Sequence, residues 1–298
     1  MNLRSQRVTG AMPARARRAV ALIVALALLT TAAVAAGAHR AVVRPAYAAD
    51  GVLVVLVVGS DIGPPYRPGD PLHGRADAIH VVAVDTGERS ATVVDIPRDS
   101  VIGGTKVNEH LATGGAEALV GQLESFTGLT IDHWILTTFH GFEQLTTDLD
   151  GVDVVVEQPM HDPSSHSDFA PGPARVAGAE ALAYARDRHS LPDGDFGRTR
   201  HQGDLLLAAH RRLVEDHHGL RDLVDLVGSL ARNTVSDIPR DDLLPLLLLA
   251  AGIDPDAVAH VPLGGRTGTM GTAAVVYVEP GDTFTRIADG HVGPVSPR

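Results

Sequence analysis

Apolar residues along this chain fall into runs whose period switches between that of a strand and that of a helix. Val52 to Val58 is an unbroken series of β-branched residues and leucine ended by Gly59, the pattern of a strand buried on both faces. A polar segment rich in proline and glycine, Ser60 to Gly74, follows. Two further runs, Ile79 to Val84 and Ala91 to Ile96, flank the turn residues Asp85, Thr86, Gly87 and Glu88 and predict a hairpin. Gly115 to Phe126 sets Leu119, Leu123 and Phe126 at helical spacing, while Ile131 to Thr138 and Val152 to Val156 return to strand character. Helix is predicted from Gly178 through Ala185, from Arg198 to Val214, and onward to Ala251. Val258 to Pro262 and Ala273 to Val278 read as closing strands, and the residues after Pro280 as a peripheral or disordered tail. The expected architecture is an α/β domain over 51–280, with helices layered on a mixed sheet, and a tail at 281–298.

The first 49 residues follow another rule. They hold no Asp or Glu but seven arginines, five of them within 1–18. Ala19 to Ala38 is an uncharged apolar stretch long enough, at roughly 1.5 Å per residue, to cross a bilayer core of roughly 30 Å. A basic tail at 1–18 stays cytoplasmic by the positive-inside rule, so the expected order is tail, transmembrane signal-anchor at 19–38, linker at 39–50 and exported domain. Ala46, Tyr47 and Ala48 also fit a signal-cleavage pattern, which would make the protein secreted instead. Both readings place the remainder outside the cytoplasm.

Once the seven N-terminal arginines are set aside, 18 basic residues face 36 acidic ones, a formal charge of −18 that disfavours nucleic acid as a partner. The chain has no cysteine, which excludes disulfides and thiolate metal sites. Its 15 histidines show no HExxH-type spacing and are expected at the surface, His217 and His218 at a charged helix end. Neither a GxSxG elbow nor a phosphate-binding GxxxxGK[ST] loop is present.

Chemistry-bearing residues gather at three places. Gly59, Ser60 and Asp61 end the first strand, and Arg75, Ala76 and Asp77 enter the second. Arg75 and Asp77, two apart in an extended chain, face the same way. Asp61 and Asp77 together suit a hard divalent cation, although loop aspartates are common on any surface. Ile96, Pro97, Arg98 and Asp99 close a strand. Arg98 is positioned either as a phosphate ligand or as half of a solvated pair with Asp99. The richest group runs from Tyr184 through Arg186, Arg188 and His189 to Asp195, Arg198 and Gln202. Arg198 and Gln202 lie at i and i+4 near a helix N-terminus that Asp195 could cap, where backbone N–H groups favour an anion. The planar guanidinium fork matches phosphate oxygens, but this chain carries 24 arginines and one lysine, so clustering alone leaves a salt-bridged surface equally open.

At these residues the chain resembles the LytR-CpsA-Psr family of bacterial envelope enzymes. The likeness runs from Val52 to Leu213 through VVGSD, GRAD, VVDIPRDS, KVNEHLATGG, GLTIDHWILTTFHGFEQL, LDGVDVVV, YARDRHS and GDFGRTRHQ. The resemblance implies a membrane-anchored, three-layer α/β/α phosphotransferase. Such an enzyme moves a glycopolymer from a polyprenyl-pyrophosphate carrier onto peptidoglycan, with the lipid tail between sheet and helices. By motif position Asp61 and Asp77 are implied as ligands of Mg²⁺ (or Mn²⁺). Arg75, Arg98, Arg186, Arg188 and Arg198, with Gln202, are implied as the pyrophosphate-binding set. Asp61, Asp77, Arg98 and Arg198 are the implied catalytic residues. Asp99 is a candidate for removing the acceptor proton only because it adjoins Arg98. Pyrophosphate hydrolysis and lipid binding without turnover remain the alternatives. Ala78 and His201 replace residues more usual in the family.

The N-terminal pattern predicts that membrane fractions retain the full-length chain. Mass spectrometry of the exported protein checks this, and a mature chain starting at Ala49 would establish cleavage instead.

Overall fold

The structure, a computed structural model, describes residues 51–216 and 219–294. The expected anchor, its basic flank and the linker lie outside the described residues, as do His217, His218 and residues 295–298. Among the described residues no helix is long and apolar enough to cross a membrane.

The strands are β1 (Val52–Ser60), β2 (Ala76–Asp85), β3 (Ser90–Asp95), β4 (Val101–Ile102), β5 (Thr105–Lys106), β6 (His133–Thr138), β7 (Val152–Val156), β8 (Met160–Asp162), β9 (Ser167–Phe169), β10 (Gly172–Val176), β11 (Thr234–Ser236), β12 (Val258–Pro262), β13 (Gly265–Met270) and β14 (Ala273–Val278). The helices are α1 (Val107–Thr127), α2 (Phe139–Asp148), α3 (Gly178–Arg186), α4 (Asp195–Asp216), α5 (Leu220–Asn233), α6 (Leu243–Ala251) and α7 (Thr283–Ala288). A six-stranded sheet of order β11-β6-β1-β2-β3-β12 forms the centre. It is mixed: β1 pairs antiparallel with β2 and parallel with β6, β2 pairs antiparallel with β3, and β3 pairs parallel with β12. The C-terminal ends of β1, β3 and β6 and the N-terminal end of β2 therefore share one edge of the sheet. The three chemistry-bearing segments converge there.

As predicted, β1 is central and buried on both faces. Val54, Leu56 and Val58 face one side, with Ile79 and Val81 of β2 and Leu111, Leu119 and Leu123 of α1. Leu53 and Val55 face the other, against Leu246 and Leu249 of α6. Fully buried leucines such as Leu56 and Leu123 contribute roughly 1.5–3 kcal/mol each. The predicted helix near Gly115 begins earlier, at Val107, and kinks where Gly115 adopts φ 72°, a conformation that glycine reaches without strain. A satellite core joins β7 and β10 to α3 and α4 through Val152, Val176, Tyr184 and Leu205. The β13–β14 hairpin stands apart from the main sheet.

The tail is not peripheral. Phe284 and Ile287 of α7 are buried in the main core, Phe284 meeting Phe126 edge-to-face at 5.8 Å between centroids. Gly293 N–H donates to Thr92 Oγ1 at 2.9 Å. A six-residue amphipathic turn is too short to show a helical period, so the expected tail is corrected to a core-packing terminal element at least through residue 294.

One polar group sits deep in this architecture. Asp95, fully buried at the end of β3, takes contacts from His80 Nδ1 at 2.7 Å and His260 Nε2 at 2.5 Å, and His260 Nδ1 lies 3.3 Å from Asp204 on α4. Gly203 brings α4 close enough that a Cβ there would stand 2.3 Å from both Asp95 and His260. His80 and His201 are likewise buried, His201 stacked on Tyr184 at 4.6 Å, so the surface expectation fails for these histidines. Burial opposes charge on His260, yet hydrogen bonds to Asp204 and Asp95 raise its pKa from 6.5 to about 9. Because the folded state holds the proton more tightly, this contribution is complete below pH 6.5 and is lost as pH rises through about 9. Unfolding free energy measured by denaturant should fall over that window by on the order of 2 kcal/mol, discounted for partial exposure. His260→Gln should flatten the slope.

Candidate functional site

A cavity of about 620 Å³ opens at the shared sheet edge, between β1, β2 and β6 below and α2, α3 and α4 above. All eight residues predicted as site residues line it: Asp61, Arg75, Asp77, Arg98, Arg186, Arg188, Arg198 and Gln202. The remaining wall is mostly apolar, with Val57, Ile135, Phe142, Leu145, Leu182 and Leu205 along it.

The order of elements explains the convergence. The β-bulge at Gly59 and Ser60 shifts the register of β1 on β2 just before Asp61, which is buried. Asp61 Oδ1 accepts the Arg75 backbone N–H at 2.8 Å, and Oδ2 accepts Arg75 Nη2 at 2.9 Å as well as a close bond from Arg67 Nη1. Burial pushes the Asp61 pKa up, but these bonds and the Arg75 and Arg67 charges outweigh it and hold the carboxyl below its usual value. Arg98 Nη1 donates to Asp77 Oδ1 at 2.7 Å. Burial works against the Arg98 charge, and Asp77 more than restores it.

Arg198 is different. Its side chain is 7% exposed; Nη2 touches Asp195 Oδ1, yet neither Nε nor Nη2 completes an aligned hydrogen bond, and Arg98 Nε lacks one too. Burial lowers the Arg198 pKa, and the neighbouring Arg98 and Arg188 charges add to that against a partial offset from Asp195 and Asp77. A buried guanidinium with unspent donors beside a second arginine is a site built for an incoming anion. Asp195, expected as a cap, is the first residue of α4 and turns to Arg198. Arg186 lies over the Phe139 ring, 4.9 Å from its centroid, and Arg188 is exposed at the mouth. Gln202 spends its amide N–H groups on the carbonyls of Ala185 at 3.1 Å and Asp77 at 3.4 Å, tying α3 and β2 to α4.

Asp99 pairs with Lys106 Nζ at 2.9 Å and does not line the cavity, so its adjacency to Arg98 in sequence does not carry into the site. Sequence reasoning missed Arg67 and Asp162 on the rim, and it placed His189 in the richest group without giving it a role. Arg67 lies in an irregular loop with no period, and the pairing of His189 with Asp162 spans 27 residues.

The site is thus an apolar trough in an α/β domain, with a crown of arginines and two carboxylates at its head. Residues 27–289 match the LytR_cpsA_psr family, and the chain belongs to it. It is 31% identical to the cell wall biosynthesis protein LcpA of Corynebacterium glutamicum over 51% of this chain and 38% of that protein. It is 27% identical to the polyisoprenyl-teichoic acid–peptidoglycan teichoic acid transferase TagV of Bacillus subtilis over 70% of this chain and 57% of that one, so it spans about half the length of these relatives. The fold matches the solved protein gbs0355 of Streptococcus agalactiae with a TM-score of 0.70 at 19% identity, covering 83% of this chain and 90% of that one. It matches the B. subtilis TagV structure with a TM-score of 0.67 at 24% identity, covering 80% and 95% respectively.

Arg198→Met strips Asp195 of its cation and should destabilise the unliganded chain by roughly 3 kcal/mol in denaturant unfolding. It should weaken binding of inorganic pyrophosphate by roughly 10- to 100-fold in calorimetry.

Proposed function

We infer that this chain is a phosphotransferase. Anchored in the cytoplasmic membrane through residues 19–38, it moves a glycopolymer from a polyprenyl-pyrophosphate carrier onto peptidoglycan and leaves a phosphodiester link. The observation that carries the reading is the buried, incompletely bonded Arg198 beside Arg98 at the head of an apolar cavity. The names of TagV and LcpA, a teichoic acid transferase and a cell wall biosynthesis protein, point the same way.

In this reading the isoprenoid lies along Val57, Ile135, Leu182 and Leu205. Arg75, Arg98, Arg186, Arg188 and Arg198 hold the pyrophosphate, and the unspent donors of Arg98 and Arg198 take the charge that grows on the departing polyprenyl phosphate. Fixed donors in a water-poor site stabilise such charge without reorganising, so little covalent protein chemistry is needed. Gln202 keeps the three elements in register through its two carbonyl contacts.

Asp61 and Asp77 fit a hard divalent cation in ligand type, since both are carboxylates lining one cavity. Among the described residues no group of three or more His, Cys, Asp or Glu could hold a metal, so pyrophosphate oxygens and water would complete the shell. Mg²⁺ or Mn²⁺ held there would neutralise pyrophosphate oxygens and strengthen the leaving group.

The test is transfer of a lipid-pyrophosphate-linked glycan to peptidoglycan fragments by the full chain in lipid vesicles. Arg98→Ala and Asp77→Ala should each lower transfer by about 100-fold or more. Chelator should abolish transfer and Mg²⁺ restore it. Equal transfer by both variants and the wild type would show the site to be misassigned, whereas release of polyprenyl phosphate without transfer would make the chain a pyrophosphatase.

A further inference from the structure

The transferase reading leaves one chemical task without a residue: the acceptor hydroxyl must lose its proton as its oxygen bonds to phosphorus. The cavity rim holds a pair shaped for it. His189 Nδ1 lies 2.9 Å from Asp162 Oδ2, and both residues line the same cavity as the arginines. Asp162 is buried, 3% exposed, whereas the His189 side chain is 54% exposed. The carboxylate thus sits behind the imidazole and the imidazole faces the solvent side, from which a cell-wall acceptor must arrive. Among the described residues His189 Nε2 meets no hydrogen-bond partner, so that nitrogen is available to a ligand.

The scaffold around the pair is tied down on both sides. Asp162 Oδ1 accepts the Ser164 backbone N–H at 2.9 Å, and the Asp162 N–H reaches Ser167 Oγ at 3.2 Å. Asp187, fully buried two residues before His189, accepts from Ser167 Oγ at 2.6 Å and from the Ser190 N–H at 3.1 Å. Ser190 Oγ accepts the His161 N–H at 2.7 Å, and the Ser190 carbonyl accepts from Gln158 Nε2 at 3.2 Å. The loop carrying His189 is therefore stitched to the β8–β9 hairpin on either side of the imidazole. A surface histidine that merely met a nearby acid would not need such support, whereas a proton acceptor must be held in one tautomer and one orientation.

We propose that His189, oriented by Asp162, is the general base that accepts the proton of the acceptor sugar hydroxyl. The hydroxyl oxygen forms its bond to the glycan-side phosphorus, and the bridging P–O bond breaks with its electron pair departing on the polyprenyl phosphate. The proton passes to His189 Nε2 and is afterwards released to solvent. Asp162 is the positioning residue: its carboxylate accepts from Nδ1–H and stabilises the imidazolium. Burial pushes the Asp162 pKa up, but bonds from His189 and Ser164 hold it below its usual value, so it is charged whenever the histidine works. Asp162 faces the imidazole from β8, Arg186 and Arg188 flank it on its own segment, and Asp61 and Asp77 lie across the same cavity.

The experiment measures kcat and the donor KM against pH for the full chain in lipid vesicles, with glycan transfer and polyprenyl phosphate release read together. His189→Gln should lower kcat by about 100-fold or more, remove the acidic limb of the pH profile and leave the donor KM within about threefold. Asp162→Asn should lower kcat through loss of orientation. His161→Gln, altered on the exposed side of the same hairpin, should match the wild type. A His189→Gln enzyme with wild-type kcat and an unchanged acidic limb overturns the proposal while leaving the transferase reading intact. Polyprenyl phosphate release without transfer by the wild type overturns the acceptor assignment, and the same comparison then tests His189 with water as nucleophile. No turnover by the wild type overturns both.

Discussion

The site depends on placing a guanidinium where water cannot fully solvate it and protein does not fully bond it. Arg198 enters the interior on the first turn of α4, and the nearest opposite charge, Asp195, touches it without aligned hydrogen bonds. Such a group is tolerated because the surrounding packing supplies the energy, and it gives an arriving anion an unusually strong partner. Arg98 repeats the arrangement in weaker form, since Asp77 satisfies one of its nitrogens and leaves Nε unspent.

That placement is possible because the sheet brings four strand ends to one edge and α4 runs over them. The contact is close: Gly203 meets Asp95 and His260 with no room for a side chain. The carboxylate between two imidazoles fastens β3, β12 and the underside of α4 at one point, and Gln202 fastens α4 to β2 and α3 from the other side. The arginines are thereby fixed relative to one another before any ligand arrives, which is what electrostatic stabilisation of a reaction requires.

Much of this was legible in the chain. The double-sided run from Val52 to Val58 announced a central strand, and the ordered motifs from VVGSD to GDFGRTRHQ brought all eight expected side chains to a single cavity. What stayed hidden were pairings between distant segments. His80 and His260 looked like surface residues because nothing local marks Asp95 as their shared partner. Arg67 carried no period, and α7 is too short to have one. Asp99 shows the opposite error, because adjacency to Arg98 placed it near the chemistry while its side chain turns to Lys106. The two residues lie in the turn that follows β3, where successive side chains leave the backbone in different directions.

Helix α4 has one more consequence. Arg198 stands at its first turn and Leu205 and Ala209 border the trough further along, so head and tail contacts lie on one rigid rod, about 10 and 16 Å apart along the axis. The rod acts as a gauge. A guest whose charged end docks on Arg198 must present slender, flexible hydrocarbon over that interval, and one with a bulky or polar group there would be held short of the arginines. In the proposed reaction, selectivity for the carrier would then be a matter of measured length rather than of any single contact.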